Sequence, residues 1–224
     1  MASGVASAPS NYAFPTEKID ECVRQMTADM SSLKSWRSET SPGPGISHYT
    51  TAVPGTSLRK NAAVWELPCT PARAADLLFD CALRIAWDTT SVSLTELASS
   101  STADGDLFSL LSVRQKRVLI VSQREYIIAT MKRTRQSDGA VFAVATDAGE
   151  AAPPHPDFIR GFIFDGSAWC AEPREGGCTL YYCVFADPRG GTFGIPHAIV
   201  NAAIGATFSG FKSGLESALS PKKS

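Results

Sequence analysis

From Gly190 to Phe211 the chain runs for 22 residues without an Asp, Glu, Lys or Arg. That length is enough to span a bilayer. The content argues otherwise, because Pro196, His197, Asn201, two threonines, a serine and five glycines interrupt the apolar residues, leaving no continuous run of about eighteen apolar positions. The second half of the run reads better as the start of a helix. From Pro196, a natural first helical residue, apolar side chains recur at Val200, Ile204, Phe208, Phe211, Leu215 and Leu219, close to the 3.6 period. Asn201, Thr207 and Lys212 mark a polar side, while Ala202, Ala203, Gly205, Ala206, Gly210 and Gly214 keep much of the surface thin. Each glycine costs about 0.8–1.0 kcal/mol relative to alanine in a helix. Something beyond local helix stability therefore favours them, and two readings stay open: close packing on a sheet, or space for a ligand.

The whole chain has 224 residues, 21 basic against 22 acidic side chains, 19% charged and 44% hydrophobic residues. Such a length suits one large domain or at most two small ones. The ordinary hydrophobic content with so little net charge excludes a disordered chain and a supercharged nucleic-acid binder. Six cysteines at 22, 69, 81, 170, 178 and 183 form no CxxC pair and no zinc spacing with His48, His155 and His197. Several fall in apolar stretches, as buried free thiols do, and point to a reduced, cytoplasmic protein with no metal and no cofactor. Residues 1–16 lack the charge and apolar pattern of a secretory signal and read as a disordered lead-in. Residues 220–224 read as a flexible tail, leaving 17–219 as a single domain.

Glu17–Leu33 has apolar residues at helical spacing, with Thr16 as a cap. The turn-rich Ser41–Gly45 follows, then two strands, Ile46–Ala52 and Ser57–Leu67, around Val53-Pro54-Gly55. Cys69–Ala86 is a second helix, capped by Thr70 with Pro71 in first position. Six β-rich stretches come next: Val92–Leu97, Leu107–Val113, Tyr126–Met131, Val141–Thr146, Ile159–Phe164 and Thr179–Phe185. An antiparallel meander connects them most economically. The fold class is α+β, a curved antiparallel sheet wrapped around a long C-terminal helix.

Catalytic motifs are missing. Asp165-Gly166-Ser167-Ala168-Trp169 lacks the second glycine of a nucleophile elbow. The glycines near 43–45 and 190–194 match neither a phosphate loop nor a dinucleotide fingerprint. Two charges stand in apolar surroundings, Arg84 in the second helix and Glu96 in an otherwise uncharged strand. Charges that are buried must be paired or must bind something, so each reads either as a contact to a ligand head group or as a solvent-facing pair. Val113–Glu125 mixes four basic residues with Val118-Leu119-Ile120-Val121. It reads as strand extensions with a basic face, or as a loop touching anionic membrane.

Several landmarks occur in order along the chain: Trp87-Asp88 at a helix end, Arg124-Glu125 before a strand, Phe158-Ile159-Arg160, and a strand holding Trp169 that ends at Glu172-Pro173. Asp187-Pro188 with Gly190-Gly191, Ile195-Pro196 and Ile199-Val200-Asn201 completes the set. Together they resemble the START domain, a family of lipid-transfer modules, over about residues 17–219. Glu125 replaces the family's usual aspartate, Ala198 stands where an aromatic is common, and Thr192-Phe193-Gly194 lengthens the segment before Ile195-Pro196.

The resemblance implies a helix-grip fold enclosing an apolar tunnel for one lipid, with no catalysis. Burial of a lipid chain is favourable by about 0.8 kcal/mol per CH₂, enough to carry a monomer across water. The expected lipid contacts are Arg84, Trp87, Glu96, Tyr126, Trp169, Phe193, Val200, Ile204 and Phe208. Arg84 matches an arginine that meets lipid phosphate in phosphatidylcholine-binding members. A gate touching membrane is expected at Val118, Leu119, Ile120, Phe193 and Ile195. The implied activity is transfer between membranes of a phospholipid, or of a sterol or ceramide, by a monomer that contacts membrane surfaces transiently and binds no nucleic acid. The alternative is an enzyme of polyketide-cyclase or hydrolase type on the same scaffold, with Glu96, Arg84 and Tyr126 as its acid and base.

Overall fold

The computed structural model describes residues 12–117, 122–189 and 195–220. Helix α1 (Thr16–Ser32) leads into strands β1 (Arg37–Glu39), β2 (Ser47–Ala52) and β3 (Arg59–Leu67). Helices α2 (Pro71–Phe79) and α3 (Cys81–Ile85) precede β4 (Ser91–Ser101), β5 (Leu107–Gln115), β6 (Arg124–Thr134) and β7 (Val141–Asp147). Short strands β8 (Ile159–Arg160) and β9 (Phe162–Ile163) come before β10 (Ser167–Arg174), β11 (Gly177–Val184), β12 (Ala186–Asp187) and the closing helix α4 (His197–Leu219).

The sheet order is β1-β2-β3-β11-β10-β7-β6-β5-β4, antiparallel throughout, with β8 added in parallel to β6. Of the six stretches expected to form one meander, those of β4 to β7 do so without interruption. The chain then leaves through β8 and β9, and β10 and β11 return to join β7 to β3. The sheet is open, with β1 and β4 at its ends and no barrel closure.

Alternation along the strands separates two packed faces. Ala62, Phe108, Ile127, Met131, Phe142 and Cys170 meet Ile19, Cys22 and Met26 of α1. Ala63, Trp65, Leu180 and Val184 meet α2 and the Phe208, Phe211 and Leu215 side of α4. Both faces of the central strands are thus covered, which explains why β6 is buried from Arg124 through Met131. A buried ion pair between Lys60 and Asp29 ties β3 to α1.

Three local expectations change. Thr16 is the first helical residue of α1 rather than its cap, since Pro15 holds that place and no side chain caps the helix. Cys69–Ala86 is two helices, because Asp80 adopts extended backbone (φ −72°, ψ 118°) and its carboxylate accepts from Ala82 and Leu83 N–H. Pro196 is the residue before α4 rather than its first turn. No helix among the described residues is long and apolar enough to cross a membrane.

Two of the three α4 glycines, Gly205 and Gly214, serve packing. A Cβ on Gly205 would lie 3.1 Å from the His48 ring, and one on Gly214 would lie 2.6 Å from the Trp87 carbonyl oxygen. Gly210 has nothing closer than Thr89 Oγ1 at 3.7 Å. His48 in turn is held from below by Asn61, with Nε2 3.1 Å from its Oδ1, and by the edge of Phe208.

Candidate functional site

Between α4 and the sheet lie two adjoining cavities that share Gln115, Tyr126, Ile163, Tyr182 and Val184 as walls. The larger, about 100 Å³, is closed on the helix side by Val200, Ala203, Ile204, Thr207 and Phe211, and on the sheet side includes Arg124. The smaller, about 80 Å³, adds Arg84, Val113, Ile128 and Trp169. Ligand sites usually measure about 300–1,000 Å³, so among the described residues the place of the expected tunnel is taken by two narrow spaces. The filling has a plain cause. Trp169 and Tyr182 stack with ring centroids 3.5 Å apart, and Phe211 tilts against both at 5.3 and 5.4 Å.

The cavity walls are apolar apart from a few groups. Tyr126 and Tyr182 are both neutral phenols, because burial pushes each well above the ordinary tyrosine range. The ring of Tyr126 occupies the space beside Gly161, where a Cβ would approach its Cε1 to 2.3 Å.

Arg84 projects from α3 beneath Trp169 and Phe211, with its guanidinium carbon 6.0 and 5.7 Å from their ring centres. Its Nε donates to Asp88 Oδ2 at 3.2 Å. Asp88 also accepts from Thr90 N–H, Thr90 Oγ1–H and Ser91 Oγ–H, so its carboxylate is fixed and largely neutralises Arg84. Arg124 is only 3% exposed. It donates through Nε to the Pro188 carbonyl, through Nη1 to Ser122 O at 2.8 Å and Gln123 O at 3.2 Å, and through Nη2 to Arg189 O at 2.9 Å. Burial lowers its pKa, against the opposing fields of Tyr126 and Asp187.

On the opposite face of β6, Glu125 is 2% exposed. It accepts from Arg160 Nη2 at 2.9 Å, Arg114 Nε at 3.0 Å and His155 N–H at 3.2 Å. Burial alone would raise its pKa, but these donors hold it below the usual carboxylate range.

Of the residues expected at the site, Arg84, Tyr126, Trp169, Val200 and Ile204 line the cavities. Three do not. Trp87 is core, its Nε1 donating to Leu77 O at 2.9 Å and its ring edge-on to Phe211. Phe208 is fully buried between Tyr182 and His48. Glu96 accepts from Ser109 Oγ–H at 2.9 Å in an open groove with Cys81 and Leu83, away from both cavities. A strand pattern tells which face a residue takes, not which end of the sheet its strand occupies, and β4 is an edge. Ile195 packs near Leu58, Phe185 and Val200. Phe193, Val118, Leu119 and Ile120 lie outside the described residues.

Sequence reasoning left out Arg124, Tyr182 and Phe211 as site residues. Tyr182 shares a strand face with Leu180 and Phe211 a helix face with Phe208, so only their depth relative to the cavity sets them apart. Among the described residues no group of His, Cys, Asp and Glu could hold a metal ion.

No match was found among curated proteins. Human StAR-related lipid transfer protein 5 superposes with a TM-score of 0.71 at 17% identity, covering 89% of this chain and 97% of that one. The StAR-related lipid transfer protein fragment 25–204 from Xanthomonas axonopodis superposes with a TM-score of 0.66 at 17% identity, over 83% and 99%. At such identity the likeness is one of fold, the large antiparallel sheet carrying a C-terminal helix. The family model described as START domain matches residues 18–219, the span from α1 through the last residue of α4. On that match the chain belongs to the START domain family.

Proposed function

We propose that the protein binds a single lipid between the sheet and α4 and transfers it between membranes without catalysing a reaction. The observation that carries this is the pair of adjoining, largely apolar cavities between α4 and the sheet, whose shared wall includes Tyr126 and Tyr182. Apolar walls suit a lipid chain, and the phenol hydroxyls can hydrogen-bond its head or ester group. Arg84 on the same wall favours a phospholipid over a sterol or ceramide, since guanidinium N–H groups suit phosphate oxygens. The present volume is too small for a whole lipid, so loading requires α4 and the sheet to part along the Val200–Phe211 face. The protein works as a cytosolic monomer that touches membranes transiently. The enzyme alternative needs Glu96 and Tyr126 on one substrate, and they face separate spaces.

Native mass spectrometry of protein purified from cells should show one bound lipid per chain, and purified protein should remove labelled lipid from vesicles. A chain that carries no lipid and extracts none would overturn the reading.

A further inference from the structure

The two arginines of the cavities differ in one respect. Arg84 is met by the Asp88 carboxylate. Arg124, on the wall of the larger cavity, is bonded to four backbone carbonyls and, among the described residues, to no carboxylate. Asp187 lies within range of its field, but its Oδ1 accepts from Arg189 N–H instead. Two further cations are close by, Lys116 on the wall of the same cavity and Arg189 over the Phe162 ring. A cation at 3% exposure that is solvated only by carbonyls keeps much of its desolvation cost uncompensated. An anionic oxygen would relieve it, because charge-assisted bonds of this kind are roughly twice as strong as those to neutral acceptors.

We propose that the larger cavity takes an amphiphile whose head carries a negative charge, a carboxylate or phosphate monoester on an apolar chain, and that Arg124 selects it. This rests on the lipid-binding reading above and adds the charge of the head. The apolar part of the ligand lies against Val200, Ile204 and Phe211, and the anion displaces the Pro188 and Arg189 carbonyls from the guanidinium. Selection of this kind differs from a role for Arg84, which already faces the Asp88 carboxylate.

The test uses vesicles of phosphatidylcholine that contain equal amounts of phosphatidic acid and diacylglycerol with the same chains. All three lipids share one vesicle surface, so attraction of the protein to that surface cancels. Native mass spectrometry of the extracted lipid should show about a tenfold preference for phosphatidic acid over diacylglycerol, the scale of one charge-assisted hydrogen bond. Arg124→Lys, which keeps the charge and loses the fork, should narrow that preference, and Arg124→Met should erase it while some diacylglycerol is still taken up. Should Arg124→Met fail to fold, the wild-type comparison decides alone. Equal loading of phosphatidic acid and diacylglycerol, or a preference for phosphatidylcholine, overturns the inference and leaves lipid binding standing. Extraction of no lipid at all overturns both. Inorganic phosphate alone should give no thermal stabilisation at the concentration where phosphatidic acid does; an equal shift would overturn the requirement for an apolar chain.

Discussion

Trp169 of β10 and Tyr182 of β11 are cross-strand partners whose rings stack 6° from parallel, the closest aromatic pair in the described structure. Tyr182 lines both cavities beneath α4, and Trp169 lines the smaller one. Truncation of Tyr182 to alanine should cost about 3–5 kcal/mol, as for other buried aromatics, and should join the two cavities into one. Urea unfolding measures the first effect and xenon or small-aromatic binding the second. A loss under about 1 kcal/mol would mean that the pair is not closely packed in solution.

Gly214 and Gly210 should respond in opposite directions. Gly214→Ala drives a methyl into the Trp87 carbonyl and Cε3, at 2.6 and 2.8 Å, and should destabilise by about 1–3 kcal/mol. Gly210→Ala meets only ordinary contact and should stabilise by about 0.5–1 kcal/mol through helix propensity. Thermal melts of the two variants, made side by side, distinguish packing from propensity without any ligand.

Gly161 holds a place for the Tyr126 ring. Gly161→Ala should rotate that ring out of its position beside β8 and β9, costing about 1–3 kcal/mol and changing the shape of both cavities at once. Tyr126→Phe should be nearly neutral for stability, because it keeps the ring that fills the space beside Gly161. It should weaken lipid retention instead. A Tyr126→Phe variant as unstable as Gly161→Ala would show that the hydroxyl is already satisfied in the empty protein.

Glu125 should leave its mark on acid stability. Its folded pKa lies below its unfolded value of about 4.5, so its contribution is present above that value and is lost as pH falls through the folded pKa. Glu125→Gln should lower stability by about 3 kcal/mol at neutral pH, since Arg114 and Arg160 lose a buried counter-charge. The wild-type advantage should shrink on acidification. Denaturant titrations at neutral and acid pH check the sign, and a variant whose deficit grows in acid would contradict it.

How legible the molecule was in its sequence varies with the kind of signal. The α4 stripe from Val200 to Leu219 was readable because burial repeats at the helical period, and β5, β6 and β7 because apolar and β-branched residues cluster there. The break at Asp80 was not, since the apolar stripe runs on unaltered from Leu78 to Ile85 while the backbone turns away at one residue. Strand β10 offers small residues, Ala168, Cys170 and Ala171, rather than β-branched ones, and only the family resemblance pointed to it. At the site, Arg84 was accessible as a charge in an apolar setting. Glu96 looked the same and proved to lie in an outer groove. Arg124 was noticed as a landmark, yet its use depends on carbonyls 64 and 65 positions away, a relation that no local pattern carries.

The pairing of β3 with β11 joins Asn61 to Val184 and Leu67 to Cys178. On the ribosome, then, the hairpin made by the first third of the chain waits for its neighbour until nearly all of the polypeptide has emerged, and α4 follows later still. Loop closure over such distances slows folding, and the waiting edge of β3 is open to wrong partners meanwhile. Newly made protein should therefore depend on chaperones more than its size suggests, and truncation after β10 should leave an aggregating chain rather than a smaller domain.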